Sequence, residues 1–253
     1  MEGRRAVREL LWAGRRRARD VWLSEGLEAS PLLDEIADLA AERRVPVRTV
    51  SRERLATAAR TGAPQGVLAH ADPLPELDVE ELVGAASGPP FLVALDGVSD
   101  PHNLGALLRT AECAGASGVV VPRHRAAAVT PTVTKVAAGA VEHLPIAVAS
   151  SIPSALGRLR RDGVWTVGLD AGAHQSVFDL PVGAEPLALV LGSEGRGLSR
   201  LSLERCEVVV AIPQLGSLPS LNVAAAGAVA CFEVARRRGS LSGPVGAVRR
   251  TGP

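Results

Sequence analysis

Two glycine-bearing loops in the last third of the chain each follow a short apolar run and carry side chains suited to chemistry. The first loop, residues 191–198, contains the carboxylate of Glu194, and the second, residues 212–223, contains the hydroxyl of Ser220 and the amide of Asn222. Glycine lets a backbone approach a ligand closely, and open α/β sheets bind ligands at loops after the carboxyl ends of their strands. These loops are therefore the first candidate ligand site.

A third segment adds a cation to this set. A buried-strand pattern over residues 91–95 is followed by a turn and by a helix that contains Asn103 and Arg109. Asn103 could cap that helix, which is a role that asparagine fills well. Arg109 could pair with Glu112 on the same helix face, or it could bind a phosphate. Each residue taken singly leaves a structural and a functional interpretation open.

Other nucleotide-binding and nucleophilic chemistries do not fit the pattern. The first strand of this region is not followed by a Gly-x-Gly-x-x-Gly fingerprint, and the chain has no Gly-Lys-Ser/Thr phosphate loop. The stretch Gly192-Ser193-Glu194-Gly195 lacks the spacing of the hydrolase nucleophile elbow. Neither the five histidines nor the cysteines show metal-ligand spacing, so we expect no metal site.

Taken together, the three segments resemble the sequence motifs of the SpoU (TrmH-like) branch of the SPOUT superfamily. The motifs cover residues 103–109, 191–198 and 212–223, with matching order, spacing and strand-to-loop context. The resemblance extends to about Arg238 and includes the bacterial large-subunit ribosomal RNA guanosine-2′-O-methyltransferases. It implies an enzyme that methylates the ribose 2′-hydroxyl of 23S ribosomal RNA with S-adenosylmethionine, as a homodimer and without a metal.

The resemblance assigns the cofactor to the backbone of the two glycine-bearing loops. Gly192, Ile212 and Leu221 match the family positions whose main chain contacts S-adenosylmethionine. Taken one at a time, these three residues could equally be an ordinary turn glycine and ordinary core residues. The presence of both motifs together favours the binding interpretation.

The resemblance also implies a set of active-site side chains. Arg109 matches the position assigned as proton acceptor, although a guanidinium is effectively always protonated; it could instead bind phosphate while water takes the proton. Asn103 would order the active-site loop and Glu194 would hold loops and the dimer contact together. Ser220 and Asn222 would position the ribose, although both could simply be helix caps.

Contacts with RNA must come from local clusters, because the net charge is only +1 and a nucleic-acid-binding domain is usually strongly basic. We expect RNA contacts at Arg123 and Arg125, after a predicted strand, and at Lys135 beyond them. A second cluster, Arg15 to Arg17 with Arg19, could equally be a solvated face.

The pattern of elements predicts an α/β fold with two domains. Residues 1–72 alternate helical and strand patterns, and the resemblance identifies them as a small RNA-binding domain. Proline and acidic residues predict a linker at 73–90. Strands and helices alternate over 91–238, which predicts a parallel sheet with helices on both faces, and the resemblance adds a deep trefoil knot. Residues 239–253 are predicted to be disordered.

Composition places the chain among proteins of the reduced cytoplasm. Apolar residues make up 47% of the chain, yet no apolar run approaches the length of a membrane span. The scattered cysteines argue against a disulfide framework. Two alternatives remain at this point: a transfer RNA ribose methyltransferase, and a non-catalytic RNA-binding or ribosome-assembly factor with the same fold.

Overall fold

A computed structural model describes residues 1–62, 64–124 and 129–240, which form two compact units. The amino-terminal unit consists of Met1–Pro75 together with residues 129–143. The second unit, called here the catalytic unit, contains residues 76–124 and 144–240.

The amino-terminal unit is built around a sheet with the strand order β2-β1-β3. Strand β1 is parallel to β2 and antiparallel to β3. Helices α1 and α2 pack on one face through buried side chains such as Leu10 and Ile36, and α3 packs on the other face through Leu55. The bounds are α1 (Arg4–Ala13), β1 (Ala18–Ser24), α2 (Pro31–Glu42), β2 (Val47–Val50), α3 (Arg52–Ala58) and β3 (Val67–Ala71).

The catalytic unit contains a seven-stranded sheet in which every neighbouring pair is parallel. The strand order is β6-β5-β4-β9-β7-β10-β8. The chain moves outward from β4 to β6 and then returns to the opposite side, so the direction of winding reverses beside β4. The bounds are β4 (Phe91–Asp96), β5 (Gly118–Pro122), β6 (Ile146–Ala149), β7 (Trp165–Leu169), β8 (Gln175–Ser176), β9 (Leu187–Gly192) and β10 (Val208–Ala211).

Helices cover both faces of this sheet. Ala188 and Val190 of β9 pack with α4 and α7 on one face, whereas an added side chain at Gly227 of α9 would contact Leu191 of β9 and Leu107 of α5. Because successive side chains of a strand point to opposite faces, α5 and α9 cover the other face. The bounds are α4 (Val79–Gly84), α5 (Pro101–Cys113), α7 (Ile152–Arg161), α8 (Arg200–Arg205) and α9 (Val223–Arg237).

The predicted alternation and parallel sheet are confirmed, because each predicted strand of this unit overlaps an observed one within a few residues. Parallel strands of this kind are continuous apolar runs in the sequence, because both faces of the sheet are buried. The two-residue strand β8 was not predicted. Among the residues described, no helix is long and apolar enough to cross a membrane.

The structure differs from the predicted linker and domain boundary at two places. Residues 76–90 belong to the catalytic unit, where Val79 and Leu82 are buried in its core. Residues 129–143, inside the predicted catalytic range, group with the amino-terminal unit. They contain α6 (Pro131–Val136) and a 3₁₀ turn (Ala140–Glu142). Composition could not predict either grouping, because each depends on packing between residues that are distant in the sequence.

Candidate active site

A cavity of about 290 Å³ opens at the carboxyl ends of three neighbouring strands, β9, β7 and β10. Its apolar lining includes Leu191, Ile212 and Leu221, and its acidic groups are Asp170 and Glu194. Parallel strands bring their carboxyl ends to one edge, and this edge lies beside the point where the winding reverses. The two predicted loops are therefore brought together, and the predicted cofactor residues Gly192, Ile212 and Leu221 all line the cavity.

Gly192 is held in a tightly closed loop. The loop after β9 is closed by Ser193 N–H, which donates to Gly197 O at 2.9 Å, and by Gly197 N–H, which donates to Ser193 O at 3.0 Å. A Cβ atom at Gly192 would lie 2.1 Å from the carbonyl carbon of Gly197 and 2.3 Å from Leu198 N. Backbone cannot move aside as a flexible side chain can, so position 192 requires glycine for the shape of the loop itself.

Three polar side chains from separate segments form a closed hydrogen-bonded ring at this cavity. Asn103 Nδ2 donates to Glu194 Oε2 at 2.9 Å, across 91 positions of the chain. Asn222 Nδ2 donates to Asn103 Oδ1 at 3.0 Å and to Glu194 Oε1 at 3.1 Å. An ionised carboxylate can only accept hydrogen bonds, so Glu194 suits two amide donors. The ring fixes the starts of α5 and α9 against the loop after β9.

The structure distinguishes the roles of the two asparagines at helix starts. Asn222 is the N-cap of α9, since its Oδ1 accepts from Ala224 N at 2.9 Å. Asn103 is not a cap: Asp100 is the N-cap of α5, and its carboxylate accepts from Asn103 N at 2.8 Å. Because Asp100 caps the helix, the Asn103 amide is free to join the ring. The interpretation of Asn103 as the helix cap was therefore wrong.

Arg109 lies on the exposed side of α5. Among the described residues it makes no hydrogen bond or ion pair, and the possible pair with Glu112 is absent. Its neighbours on the helix, Leu107 and Leu108, are buried. The guanidinium of Arg109 is therefore available to a ligand from outside the chain.

Other polar residues at this edge of the sheet carry less obvious signals in the sequence. Asp96, at the end of β4, accepts from Ser199 N at 2.8 Å and so fixes the start of α8. Asp170 follows β7 directly and lines the cavity with Ala171. Asp96 comes directly after the predicted strand over residues 91–95, and that position was the signal that could have found it. Ser220 is exposed and lines the cavity with its loop.

Two of the three thiols of the catalytic unit, those of Cys206 and Cys231, are unsuited to nucleophilic chemistry. Burial raises the pKa of the Cys231 thiol to about 12. Burial, with the nearby carboxylates of Asp96 and Glu207, raises the pKa of the Cys206 thiol to about 12 as well. Since the thiolate is the reactive form, both thiols stay protonated near neutral pH.

Of the three predicted RNA-contact residues, Arg123 and Lys135 lie in different units of the structure. Arg123 follows β5 in the catalytic unit, and its guanidinium lies 3.7 Å from the Glu76 carboxylate, with both side chains more than half exposed. Lys135 lies in the amino-terminal unit, where its Nζ is 3.4 Å from Thr61 Oγ1. Arg125 lies outside the described residues.

The chain matches two family models. The model described as the SpoU rRNA Methylase family matches residues 90–232. The model described as RNA 2′-O ribose methyltransferase substrate binding matches residues 1–77. The first match contains all three candidate segments of the active site.

The chain is also similar to named proteins over nearly its whole length. The Pseudomonas putida protein named 23S rRNA (guanosine-2′-O-)-methyltransferase RlmB is 42% identical over 93% of this chain and 95% of its own. The Pseudomonas aeruginosa protein of the same name is 40% identical, also over 93% and 95%. The solved structure of the SpoU methyltransferase AviRb from Streptomyces viridochromogenes in complex with AdoMet has a TM-score of 0.78, with 26% identity over 95% of this chain and 90% of that one.

Proposed function

The chain belongs to the SpoU rRNA methylase family, and we propose that it transfers a methyl group from S-adenosylmethionine to the ribose 2′-hydroxyl of a guanosine in 23S ribosomal RNA. The observation that carries this proposal is the ring of Asn103, Glu194 and Asn222, in which Glu194 also lines the cavity. The ring joins residues of all three family motifs in one place.

The cavity fits S-adenosylmethionine by its chemistry. Small-molecule sites are mostly apolar clefts of roughly 300–1,000 Å³ with a few placed polar groups, and this cavity of about 290 Å³ is close to the lower limit of that range. Leu191, Ile212 and Leu221 offer apolar contacts for an adenine ring. The carboxylates of Asp170 and Glu194 offer negative charge for the amino and sulfonium groups.

When bound, S-adenosylmethionine supplies an electrophilic methyl group, and the protein has to align the acceptor hydroxyl and accommodate its proton. Alignment alone contributes a large part of the rate of a two-reactant displacement, because it removes the entropy cost of bringing the reactants together. We assign the alignment of the ribose to Ser220, which lines the cavity, to Asn222, which lies between the lining residues Leu221 and Val223, and to the ring that fixes Asn222.

We assign Arg109 to a phosphate of the target nucleotide. A guanidinium stays cationic and presents a planar fork of donors that matches phosphate oxygens. The side chain is exposed and unpaired among the described residues, so no internal ion pair has to break before it binds RNA. In this role Arg109 positions the ribose, and solvent accepts the hydroxyl proton.

We further propose that the protein acts as a cytoplasmic homodimer with a knotted catalytic domain. A dimer is supported by exposed apolar side chains around the cavity loop and on α9. Leu215 is fully exposed and Leu218 is 76% exposed, and Phe232 of α9 is 40% exposed. Exposed large apolar side chains are typical of protein interfaces where they form a contiguous patch. Sedimentation of the purified protein tests the dimer, and a monomer at micromolar concentration contradicts it.

The proposed reaction is tested with radiolabelled S-adenosylmethionine and transcribed 23S ribosomal RNA. We expect label in the RNA at one guanosine ribose, located by resistance of the adjacent phosphodiester bond to alkaline hydrolysis. A transfer RNA pool and the wild-type protein without RNA are the controls. Label in transfer RNA alone would assign the transfer RNA activity instead, and cofactor binding without transfer to either RNA would support the non-catalytic factor.

A further inference from the structure

A second cavity, of about 490 Å³, lies within the amino-terminal unit where α1 and α2 end and β1 begins. Its lining contains four arginines, Arg15, Arg16, Arg17 and Arg43, and one acidic residue, Glu42. The remaining lining residues are small or apolar. A cavity with this excess of guanidinium groups is suited to an anionic ligand.

One of the four arginines is neutralised within the fold. Arg16 donates from Nε and Nη2 to the two carboxylate oxygens of Glu142, at 3.0 and 2.6 Å. The Glu142 side chain is 0% exposed. Arg16 also donates to the carbonyl oxygen of Asp72 at 2.6 Å. Its role is structural, since it joins the 3₁₀ turn that ends at Glu142 to the backbone at Asp72.

The other three arginines retain their positive charge. Arg15 donates to the carbonyl oxygen of Glu142 at 3.4 Å, and Arg43 donates to the carbonyl oxygen of Trp12 at 2.8 Å. The Arg17 side chain is exposed and makes no hydrogen bond or ion pair in the part of the chain that the structure describes. Carbonyl oxygens satisfy donors but carry no net charge. The nearby Glu142 carboxylate offsets part of the Arg15 charge, whereas Arg17 and Arg43 form no ion pair among the described residues.

Arg43 is also fixed in position by a close approach to the backbone. Gly14 ends α1 with a left-handed φ of 58°. A Cβ atom at Gly14 would lie 2.1 Å from Arg43 Nη1. The absence of a side chain at Gly14 therefore gives the Arg43 guanidinium its place on the cavity wall, and a donor fixed in advance loses little entropy when it binds.

We propose that this cavity binds the phosphodiester backbone of the substrate RNA, with Arg15, Arg17 and Arg43 as the phosphate contacts. Guanidinium groups bind phosphate oxygens through paired donors, and neighbouring guanidiniums can engage successive phosphates of one strand. The inference rests on the proposed function, because it takes the ligand to be the RNA that the catalytic unit modifies. It assigns a backbone-binding role that is independent of base sequence.

The test removes two of the three proposed phosphate contacts in the full-length protein. The double variant Arg15→Gln/Arg17→Gln is compared with wild type for binding to transcribed 23S ribosomal RNA over a series of salt concentrations. We expect about tenfold weaker binding at low salt, and a slope of log affinity against log salt that is smaller by about one for each lost phosphate contact. The matched control is Arg5→Gln, because Arg5 is exposed on the first turn of α1, away from the cavity.

Two results would overturn the inference: an unchanged salt slope in the double variant, or a loss of slope in Arg5→Gln that is half the loss in the double variant. The second result would mean that any surface charge of the unit contributes equally. Methyl transfer by the wild-type protein is measured on the same RNA. If the wild-type protein transfers methyl groups and the salt slope of the double variant is unchanged, the cavity inference alone is wrong. If the salt slope changes but the wild-type protein transfers no methyl group, the proposed reaction alone is wrong.

Discussion

The two cavities of the chain are built with different polar chemistry. The cavity of the catalytic unit is bordered by a ring of two amides and one carboxylate, all mutually hydrogen bonded. The cavity of the amino-terminal unit is bordered by guanidinium groups, of which only Arg16 meets a carboxylate among the described residues. The difference suits their proposed ligands. A small cofactor requires a fixed shape, whereas a polyanion requires uncompensated charge.

The same difference predicts how each region responds to substitution. Where geometry depends on close backbone contact, a single added side chain should abolish function. Where binding depends on several exposed charges, each loss should be partial and dependent on salt, because exposed charges are screened by salt. Four single substitutions test this difference, and the first is expected to have the largest effect.

Glu142→Gln should cause the largest loss of stability. It removes the partner of the largely buried Arg16, and breaking a buried ion pair costs about 3–5 kcal/mol because one charge is left uncompensated. Urea unfolding followed by circular dichroism measures the change. The control is Glu53→Gln on the exposed face of α3, for which we expect a change within about 0.5 kcal/mol. Equal unfolding midpoints for the two variants would contradict a structural role for the pair.

Gly192→Val should weaken S-adenosylmethionine binding by about a hundredfold or more, which corresponds to about 2.7 kcal/mol. The added side chain would collide with the backbone of Gly197 and Leu198, so the loop has to open and the cavity loses its wall. Calorimetry with the cofactor measures the affinity. Gly216→Ala is the control because nothing lies within 4 Å of an added Cβ there. Unchanged affinity in Gly192→Val would remove this loop from the cofactor site.

Arg109→Lys should leave folding and cofactor affinity unchanged and lower methyl transfer by about a hundredfold, within the range for a positioned catalytic group. Lysine keeps the charge but loses the planar fork of donors. The measurement is single-turnover transfer at saturating RNA, which excludes an effect of weaker RNA binding. Glu112→Gln, on the same helix, should transfer at the wild-type rate. A normal rate in Arg109→Lys would place the essential contact elsewhere.

Asn222→Asp should have the smallest effect of the four, about tenfold on methyl transfer. Aspartate is as good an N-cap as asparagine, so α9 should keep its start. It cannot donate to Asn103 and Glu194, however, and it places a second carboxylate beside Glu194. Asn222→Ser, which also caps helices, lacks the added charge and should be impaired less. Wild-type rates in both variants would mean that the cap, and not the ring, is what matters at this position.

The sequence determined the local structure of the catalytic unit because its signals are local. Runs of apolar residues predicted the strands that carry the site, and glycine and polar residues after them predicted the loops. The family motifs supplied Gly192, Ile212 and Leu221 as cavity residues, and the structure places all three in its lining. Alternation of strand and helix also predicted the parallel sheet, since a parallel connection needs a crossover of a dozen residues or more.

Tertiary structure alone decided which distant groups meet. Asn103 and Asn222 lie 119 positions apart, and Arg16 and Glu142 lie 126 apart, so no local pattern specifies either contact. The helix cap at Asp100 and the ring partner at Asn103 are both polar residues at a helix start, and the sequence does not distinguish them. Residues 129–143 pack with the amino-terminal unit, although in the chain they come after strand β5 of the catalytic unit. Such contacts depend on how whole elements pack, because burial and long-range pairing outweigh the preferences of single residues.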